Sequence, residues 1–99
     1  MLELRDVDQV VDKAASSALT RAVVSRVFSK PTIDSEGREA LNVTVVLKQG
    51  KGGSVSGDAA LSAIVRIQRD LRERGEERFP IVYFATEEEL EAPIGDTES

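Results

Sequence analysis

The sequence predicts an α+β sandwich, in which a small three-stranded sheet has two helices on one face and a short helix at the C-terminal end. Three observations support this prediction. Two segments repeat apolar residues at helical spacing, three shorter segments are rich in β-branched and aromatic residues, and their order along the chain is α-β-β-α-β. A chain of 99 residues also has the length of a single domain.

The first element is an amphipathic helix from Asp6 to about Leu19. Its apolar residues recur every three or four positions, and polar residues occupy the opposite side. The apolar stripe consists of Val7, Val10, Val11, Ala14, Ala15 and Ala18. Acidic residues in the first turns suit the positive end of the helix dipole, so we expect a helix that buries one face.

The next two elements form a predicted antiparallel hairpin. A first strand rich in Val and Phe stops at Pro31, and a second strand alternates apolar and polar residues up to Lys48. One face of the second strand carries Leu41, Val43, Val45 and Leu47. The sequence DSEGRE between the strands contains Gly37 and can reverse the chain. Because a slip of one residue would expose the apolar face, we expect a well-specified register.

A second helix, a third strand and a short helix complete the prediction. The second helix has Ser56 or Asp58 as its N-cap and Gly75 at its C-terminal end. Its predicted buried stripe consists of Ala60, Leu61, Ile64, Ile67, Gln68 and Leu71. The sequence RFPIVYFA predicts the third strand, which Pro80 restricts to an edge or a strand start, beside either the first or the second strand. TEEE at 86–89 matches a capping box that opens the short helix.

The composition excludes several kinds of site. The chain contains neither cysteine nor histidine, which excludes disulfides, thiolate metal sites and histidine acid–base chemistry. No other combination of side chains forms a catalytic set, so we expect a protein that is not an enzyme and has no cofactor, metal or small-molecule substrate. An activity based on carboxylates is the enzymatic alternative that the sequence leaves open. Because no apolar run approaches the ~20 residues of a membrane span and the N-terminus is no signal peptide, we expect a cytoplasmic protein.

The negative charge is concentrated at one end of the chain. The net charge is -5, but six of the 18 acidic residues lie in 86–99, leaving 12 acids against 13 bases in 1–85. We therefore expect one domain over residues 1–91 and a disordered acidic tail over 92–99 that keeps the protein soluble or contacts a basic partner.

A glycine-rich segment, KQGKGGSVSGD, separates the second strand from the second helix. It fits neither the Walker loop nor the dinucleotide fingerprint, and a mobile joint is the favoured interpretation. Gly50-Lys51-Gly52-Gly53 matches the GxxG of KH-type RNA-binding domains, in which that loop joins two helices and clamps the nucleic-acid backbone. The element order over residues 6–84 also resembles the KH-like fold of the ribosome-binding factor A family, which would imply an RNA- or ribosome-associated module.

The second helix carries the best cluster of positive charge. Arg66, Arg69 and Arg72 follow one another at intervals of three and, with Lys51, form a candidate polyanion-binding site; Arg74 and Arg78 extend the cluster. Acidic residues are interspersed at Asp70, Glu73, Glu76 and Glu77. Because these can form ion pairs with the arginines along the helix, a solvated and self-paired face is favoured over nucleic-acid binding.

The sheet face opposite the helices offers the leading functional hypothesis. Apolar residues on that face, or along the third strand at the sheet edge, would remain uncovered in a monomer. The candidate partner-binding residues are Val46, Ile81, Val82, Tyr83 and Phe84, with either Ile81 and Tyr83 or Val82 and Phe84 pointing away from the helices. We expect a small interaction protein that forms a homodimer or binds a partner protein, for instance as half of a two-protein bacterial module; the alternative is the KH-like module that uses the arginine helix.

Overall fold

The computed structural model describes residues 1–91, except for the side chain of Glu91, and has an α+β fold with a three-stranded mixed sheet. The elements in chain order are α1 (Leu4–Leu19), β1 (Val24–Ile33), β2 (Glu39–Leu47), a 3₁₀ turn (Gly52–Ser54), α2 (Gly57–Glu73), β3 (Phe79–Thr86) and α3 (Glu87–Glu91). The predicted fold class and element order are therefore confirmed. The predicted disordered tail at 92–99 lies outside the described residues.

Strand β2 occupies the centre of the sheet, in the order β1-β2-β3. It pairs antiparallel with β1, as the hairpin prediction required, and parallel with β3. Val45 of β2, for example, is opposite Val27 of β1 and Phe84 of β3. The third strand therefore lies beside the second, which settles the alternative that the sequence left open.

Both long helices cover the same face of the sheet. The residues that alternate on β2 toward this face join the buried stripes of α1 and α2 in one hydrophobic core. The fully buried members with the largest side chains are Val7, Val11, Val24, Leu41, Val43, Val45, Ile67 and Leu71. In β2 the apolar residues recur every two positions, and in the helices they recur every three or four positions. Each spacing matches the geometry of its element, so the apolar residues of each element lie on one face and can join this core.

Strand β1 is longer than the sequence predicts. It continues through Pro31, which pairs with Leu41, and ends at Ile33. Proline interrupts a central strand because it lacks an N–H, but β1 lies at the sheet edge, where one side of the strand needs no ladder hydrogen bonds. The register shifts once, between Val24 and Arg26, through an irregularity of the β-bulge kind.

Helix α2 departs from the predicted burial pattern at one important position. Leu61 was predicted to be buried, yet it is 59% exposed, and Val65 one turn later is 53% exposed. The buried residues of α2 are Ala63, Ile67 and Leu71. The apolar residues of α2 therefore extend around the helix beyond the part that the core covers.

Local signals at the helix ends behave as predicted. Ser56 is the N-cap of α2, and its hydroxyl accepts a hydrogen bond from the backbone N–H of Ala59 at 3.1 Å. Gly75 follows α2 with φ +93°, a conformation that glycine adopts without steric cost. At the start of α3, Thr86 and Glu89 exchange hydrogen bonds of 2.9 and 3.1 Å between side chain and backbone, which confirms the capping box.

Candidate protein-interaction surface

The sheet surface opposite the helices, called here the outer face, follows from the strand register. Residues that are opposite one another on neighbouring strands project to the same side. The outer face therefore consists of four rows across the sheet: Arg26–Val46–Ala85, Phe28–Thr44–Tyr83, Lys30–Asn42–Ile81 and Thr32–Ala40–Phe79. Helices α1 and α2 pack on the opposite face, and α3 directly follows Thr86 at one end of the sheet.

The β3 side of the outer face is apolar, whereas the β1 side is charged. Phe79 and Tyr83 are 54% and 51% exposed, and Ile81 between them is half-buried. On β1, Arg26 and Lys30 are exposed, and the Arg26 guanidinium lies 5.8 Å from the ring centroid of Phe28. An exposed Phe and an exposed Tyr on the outward side of one strand, with Ile81 between them, form an apolar patch of the kind that marks protein contacts.

Two of the candidate partner-binding residues, Ile81 and Tyr83, project from the outer face. Val82 and Phe84 project to the other side, where they pack against the core, so only their backbone can take part in a contact at the sheet edge. Val46 belongs to the outer face but has no accessible surface. It supports the neighbouring side chains and does not itself present a contact surface.

Helix α3 is hydrogen-bonded to β1 at the end of the sheet near Val46. The carboxylate of Glu87 accepts hydrogen bonds from Arg26 Nε at 3.2 Å and from the Ser25 hydroxyl, across the width of β2. These hydrogen bonds from Arg26 and Ser25 lower the pKa of Glu87. The exposed apolar residues Phe79 and Tyr83 belong to the rows beyond this contact and remain accessible.

The two edges of the sheet differ in how well they are protected against a further strand. Strand β1 has several features that discourage the addition of a further strand. They are the charged side chains of Arg26 and Lys30, the proline at position 31 and the irregularity after Val24. Strand β3 has the sequence FPIVYFAT and contains no charged residue. Pro80, its second residue, is the single feature of this kind on β3.

The backbone groups on the free edge of β3 can be assigned from two residues. Successive residues of a strand direct their N–H and C=O groups alternately to the two sides. Proline is tolerated on an edge strand when its nitrogen faces away from the sheet, which applies to Pro80. The N–H of Thr86 donates to Glu89 Oε1 at 2.9 Å, which is a partner outside the ladder with β2. The N–H and C=O groups of the even-numbered residues of β3 therefore point to the free edge. Because Pro80 has no N–H and the Thr86 N–H is bound to Glu89, the N–H groups available there are those of Val82 and Phe84.

The candidate polyanion site is dispersed. Arg66, Arg69 and Arg72 are exposed on α2, whereas Lys51 precedes the other end of that helix. From Gly57 to Arg72 the helix is about 22 Å long, so the structure does not bring Lys51 and Arg72 together. Within residues 1–91, the one ion pair of these three arginines joins Arg69 to Asp70 at 3.4 Å.

Two residues assigned to the charged helix face belong to a buried site instead. The Glu76 side chain is fully buried, and the Arg78 side chain is 9% exposed. The Glu76 carboxylate accepts hydrogen bonds from Arg78 Nε at 2.8 Å and from the Leu2 backbone N–H at 2.9 Å, and Arg78 Nη2 donates to the Leu2 carbonyl at 2.8 Å. The pair ties the N-terminus to the loop before β3. Sequence spacing gave no signal for it, because the contact with Leu2 is remote along the chain.

The glycine-rich segment is attached to α3. The backbone N–H of Gly50, a residue with φ +77°, donates to Glu88 Oε2 at 3.0 Å. A Cβ atom added to Gly52 would lie 2.9 Å from the Thr86 methyl carbon. A carboxylate of the chain itself therefore occupies this backbone N–H group. These contacts were not foreseen by the interpretation of the segment as a mobile joint.

No group of three or more acidic side chains within residues 1–90 is arranged to hold a metal ion. Within the same part of the chain, no helix is long and apolar enough to cross a membrane. No protein-family model, curated protein or solved structure matches the chain. Within residues 1–91, the candidate functional surfaces are the outer face, the β3 edge and the exposed residues of α2.

Proposed function

We propose that this protein is a small, non-enzymatic interaction module that binds another protein chain through the β3 side of its sheet. The observation that carries the proposal is the exposure of Phe79 and Tyr83 on a strand whose alternation directs the N–H groups of Val82 and Phe84 to the free edge. Exposed aromatic residues supply contact area, and an unpaired strand edge supplies directional hydrogen bonds. The absence of cysteine suits a reducing compartment such as the cytoplasm.

Tyr83→Lys tests the proposal, with Ile33→Lys as its matched control. Tyr83 is 51% exposed at the centre of β3, and Ile33 is 60% exposed at the end of β1, so neither change buries a charge in the monomer. Sedimentation velocity at concentrations from about 1 to about 100 μM covers the affinities of ordinary protein complexes. We expect association in the native chain and in Ile33→Lys, and at least about tenfold weaker association in Tyr83→Lys.

A chain that stays monomeric over this range, and that purifies without a stoichiometric protein partner, would contradict the proposal. Equal association of both lysine variants and the native chain would also contradict it, because the contact would then lie away from β3.

Exposed arginines favour a second candidate function, binding to a polyanion such as single-stranded RNA. Arg66 and Arg72 form no ion pair within residues 1–91, so their charges are available to phosphates. If all three arginines of α2 bind phosphates, the logarithm of the RNA affinity should fall with the logarithm of the salt concentration with a slope of about -2. Fluorescence anisotropy with a labelled oligonucleotide would measure that slope, and a triple Arg→Glu variant at positions 66, 69 and 72 should abolish it. Absent or salt-independent binding would exclude this function.

A further inference from the structure

We infer that the chain bound at β3 is a second copy of this protein, so that two β3 strands pair antiparallel and join the three-stranded sheets into one continuous sheet. The two-fold axis passes beside Tyr83, and the α2 helices of the two copies meet through Leu61, Ile64 and Val65. This inference rests on the proposed function and specifies its partner and geometry. Three features of the molecule support it. They are the side of α2 on which the exposed apolar residues lie, the position of these residues along the length of β3, and the hydrogen-bonding pattern of the β3 edge.

The exposed apolar residues of α2 lie on the side of the helix that overhangs the β3 edge. Asp70 and Glu73 line a groove with residues of α1, which identifies the side of α2 that faces α1. Gln68 and Arg72 line a depression with Phe79 and Pro80 of β3, which identifies the opposite side. Leu61 precedes Gln68 by seven residues, or two helical turns, and therefore lies on the β3 side.

The same residues are level with the middle of β3. Because β2 and β3 are parallel, the connecting helix α2 runs in the direction opposite to β3. Gln68 lies near Pro80, and the three residues from Pro80 to Tyr83 span about 10 Å of strand. That length corresponds to about seven residues of helix, which leads from Gln68 back to Leu61. A two-fold axis beside Tyr83 therefore brings Leu61 and its neighbours on the two helices together.

The β3 edge is self-complementary about this axis. Antiparallel pairing centred on Tyr83 places Val82 of each copy opposite Phe84 of the other, and these two residues can exchange both of their free N–H and C=O groups. Pro80 is then opposite Thr86 of the second copy. Pro80 has no N–H, and the Thr86 N–H is already satisfied by Glu89. The two edge positions without a free donor thus face each other, and every free N–H has an acceptor.

A second copy covers more of the exposed surface than an isolated peptide strand would. An added strand alone would satisfy Val82 and Phe84 but would leave Leu61 and Val65 in water, whereas the second copy supplies its own α2.

Disulfide trapping tests the register, because the chain contains no cysteine. On the axis, Tyr83→Cys is opposite itself in a non-hydrogen-bonded pair, with Cβ atoms about 4.5–5.5 Å apart, close to the spacing of a disulfide. Ile81→Cys is the matched control: it projects from the same face of the same strand, but its own copy lies about 13 Å away. In a glutathione redox buffer we expect a covalent dimer for Tyr83→Cys and none for Ile81→Cys.

Leu61→Lys provides a second, independent readout. The native Leu61 is exposed in the monomer, so the change should leave thermal stability of the monomer intact. It should weaken self-association at least about tenfold, because one buried leucine per copy is lost and two charges approach each other.

The outcomes separate this inference from the proposed function. Association without a Tyr83→Cys crosslink, and without an effect of Leu61→Lys, would overturn the two-fold β3 arrangement while leaving an interaction module. Equal crosslinking of both cysteine variants would overturn the register. A strictly monomeric native chain that binds a different protein through β3 would overturn the second copy as partner, and a monomer that binds nothing would overturn both.

Discussion

Replacing Glu76 with glutamine should lower the free energy of unfolding by about 3 kcal/mol, because it breaks a buried ion pair. The side-chain hydrogen bonds from Arg78 outweigh the effect of burial and lower the pKa of Glu76 from 4.5 to about 2. A difference of about 2.5 pKa units between unfolded and folded chain corresponds to about 3 kcal/mol at 1.36 kcal/mol per unit. Glutamine retains one acceptor but leaves the charge of Arg78 buried without its counter-charge.

The pH dependence of this contribution has a definite sign. The folded-state pKa of Glu76 is depressed, so the carboxylate stabilises the fold fully above about pH 4.5 and progressively less as the pH falls toward about 2. The native chain should therefore lose this part of its stability on acidification, whereas Glu76→Gln has already lost it. The difference between the two proteins should be largest near neutral pH and shrink below pH 4.5.

Urea unfolding followed by far-ultraviolet circular dichroism measures both effects. Glu77→Gln is the matched control, because Glu77 is the exposed neighbour of the buried Glu76; this change should alter stability by less than about 0.5 kcal/mol. Equal losses in the two variants would refute the reasoning. So would a Glu76→Gln variant whose difference from the native chain did not decrease in acid.

Three further changes probe the fold. Gly52→Ala should lower the free energy of unfolding by about 1–3 kcal/mol, because the added Cβ would lie 2.9 Å from the Thr86 methyl carbon. Gly53→Ala is the control and should be nearly neutral, because its Cβ meets nothing within 4 Å. The midpoints of urea unfolding compare the two variants directly. Ser56→Ala should cost about 1 kcal/mol through loss of the α2 N-cap, and a loss below about 0.3 kcal/mol would disprove a stabilising cap. Leu41→Ala removes a fully buried side chain and should cost about 2–5 kcal/mol in thermal or urea unfolding.

The fold class follows from signals that act over short distances. Helical and strand periodicities, the Ser56 cap, the turn at Gly37 and the Thr86–Glu89 capping box each depend on residues a few positions apart, and the structure contains all of them. The position of β3 beside β2 depends on a crossover through α2, which no local pattern encodes. The order β1-β2-β3 is therefore visible in the three-dimensional structure and not in the sequence.

The candidate surface was only partly predictable for the same reason. Alternation along β3 showed that one of two residue pairs points outward, but only the parallel register selects Ile81 and Tyr83. Leu61 has the spacing of a buried residue, yet the core ends before reaching it. The buried pair of Glu76 and Arg78 includes a hydrogen bond with Leu2, which is more than seventy residues away along the chain. Local sequence patterns do not show such a contact, so the sequence placed both residues with the charged residues of the exposed helix.

Amide hydrogen exchange at Val82 and Phe84 tests the central claim most directly. Ile81 and Tyr83 face β2 in the ladder and should be protected at every protein concentration. If β3 pairs with a second copy, protection of Val82 and Phe84 should appear in the native chain as the concentration rises through the association range, and in Leu61→Lys it should require concentrations at least about tenfold higher. Fast exchange of these two amides in a chain that is demonstrably associated would contradict the pairing of β3 edges.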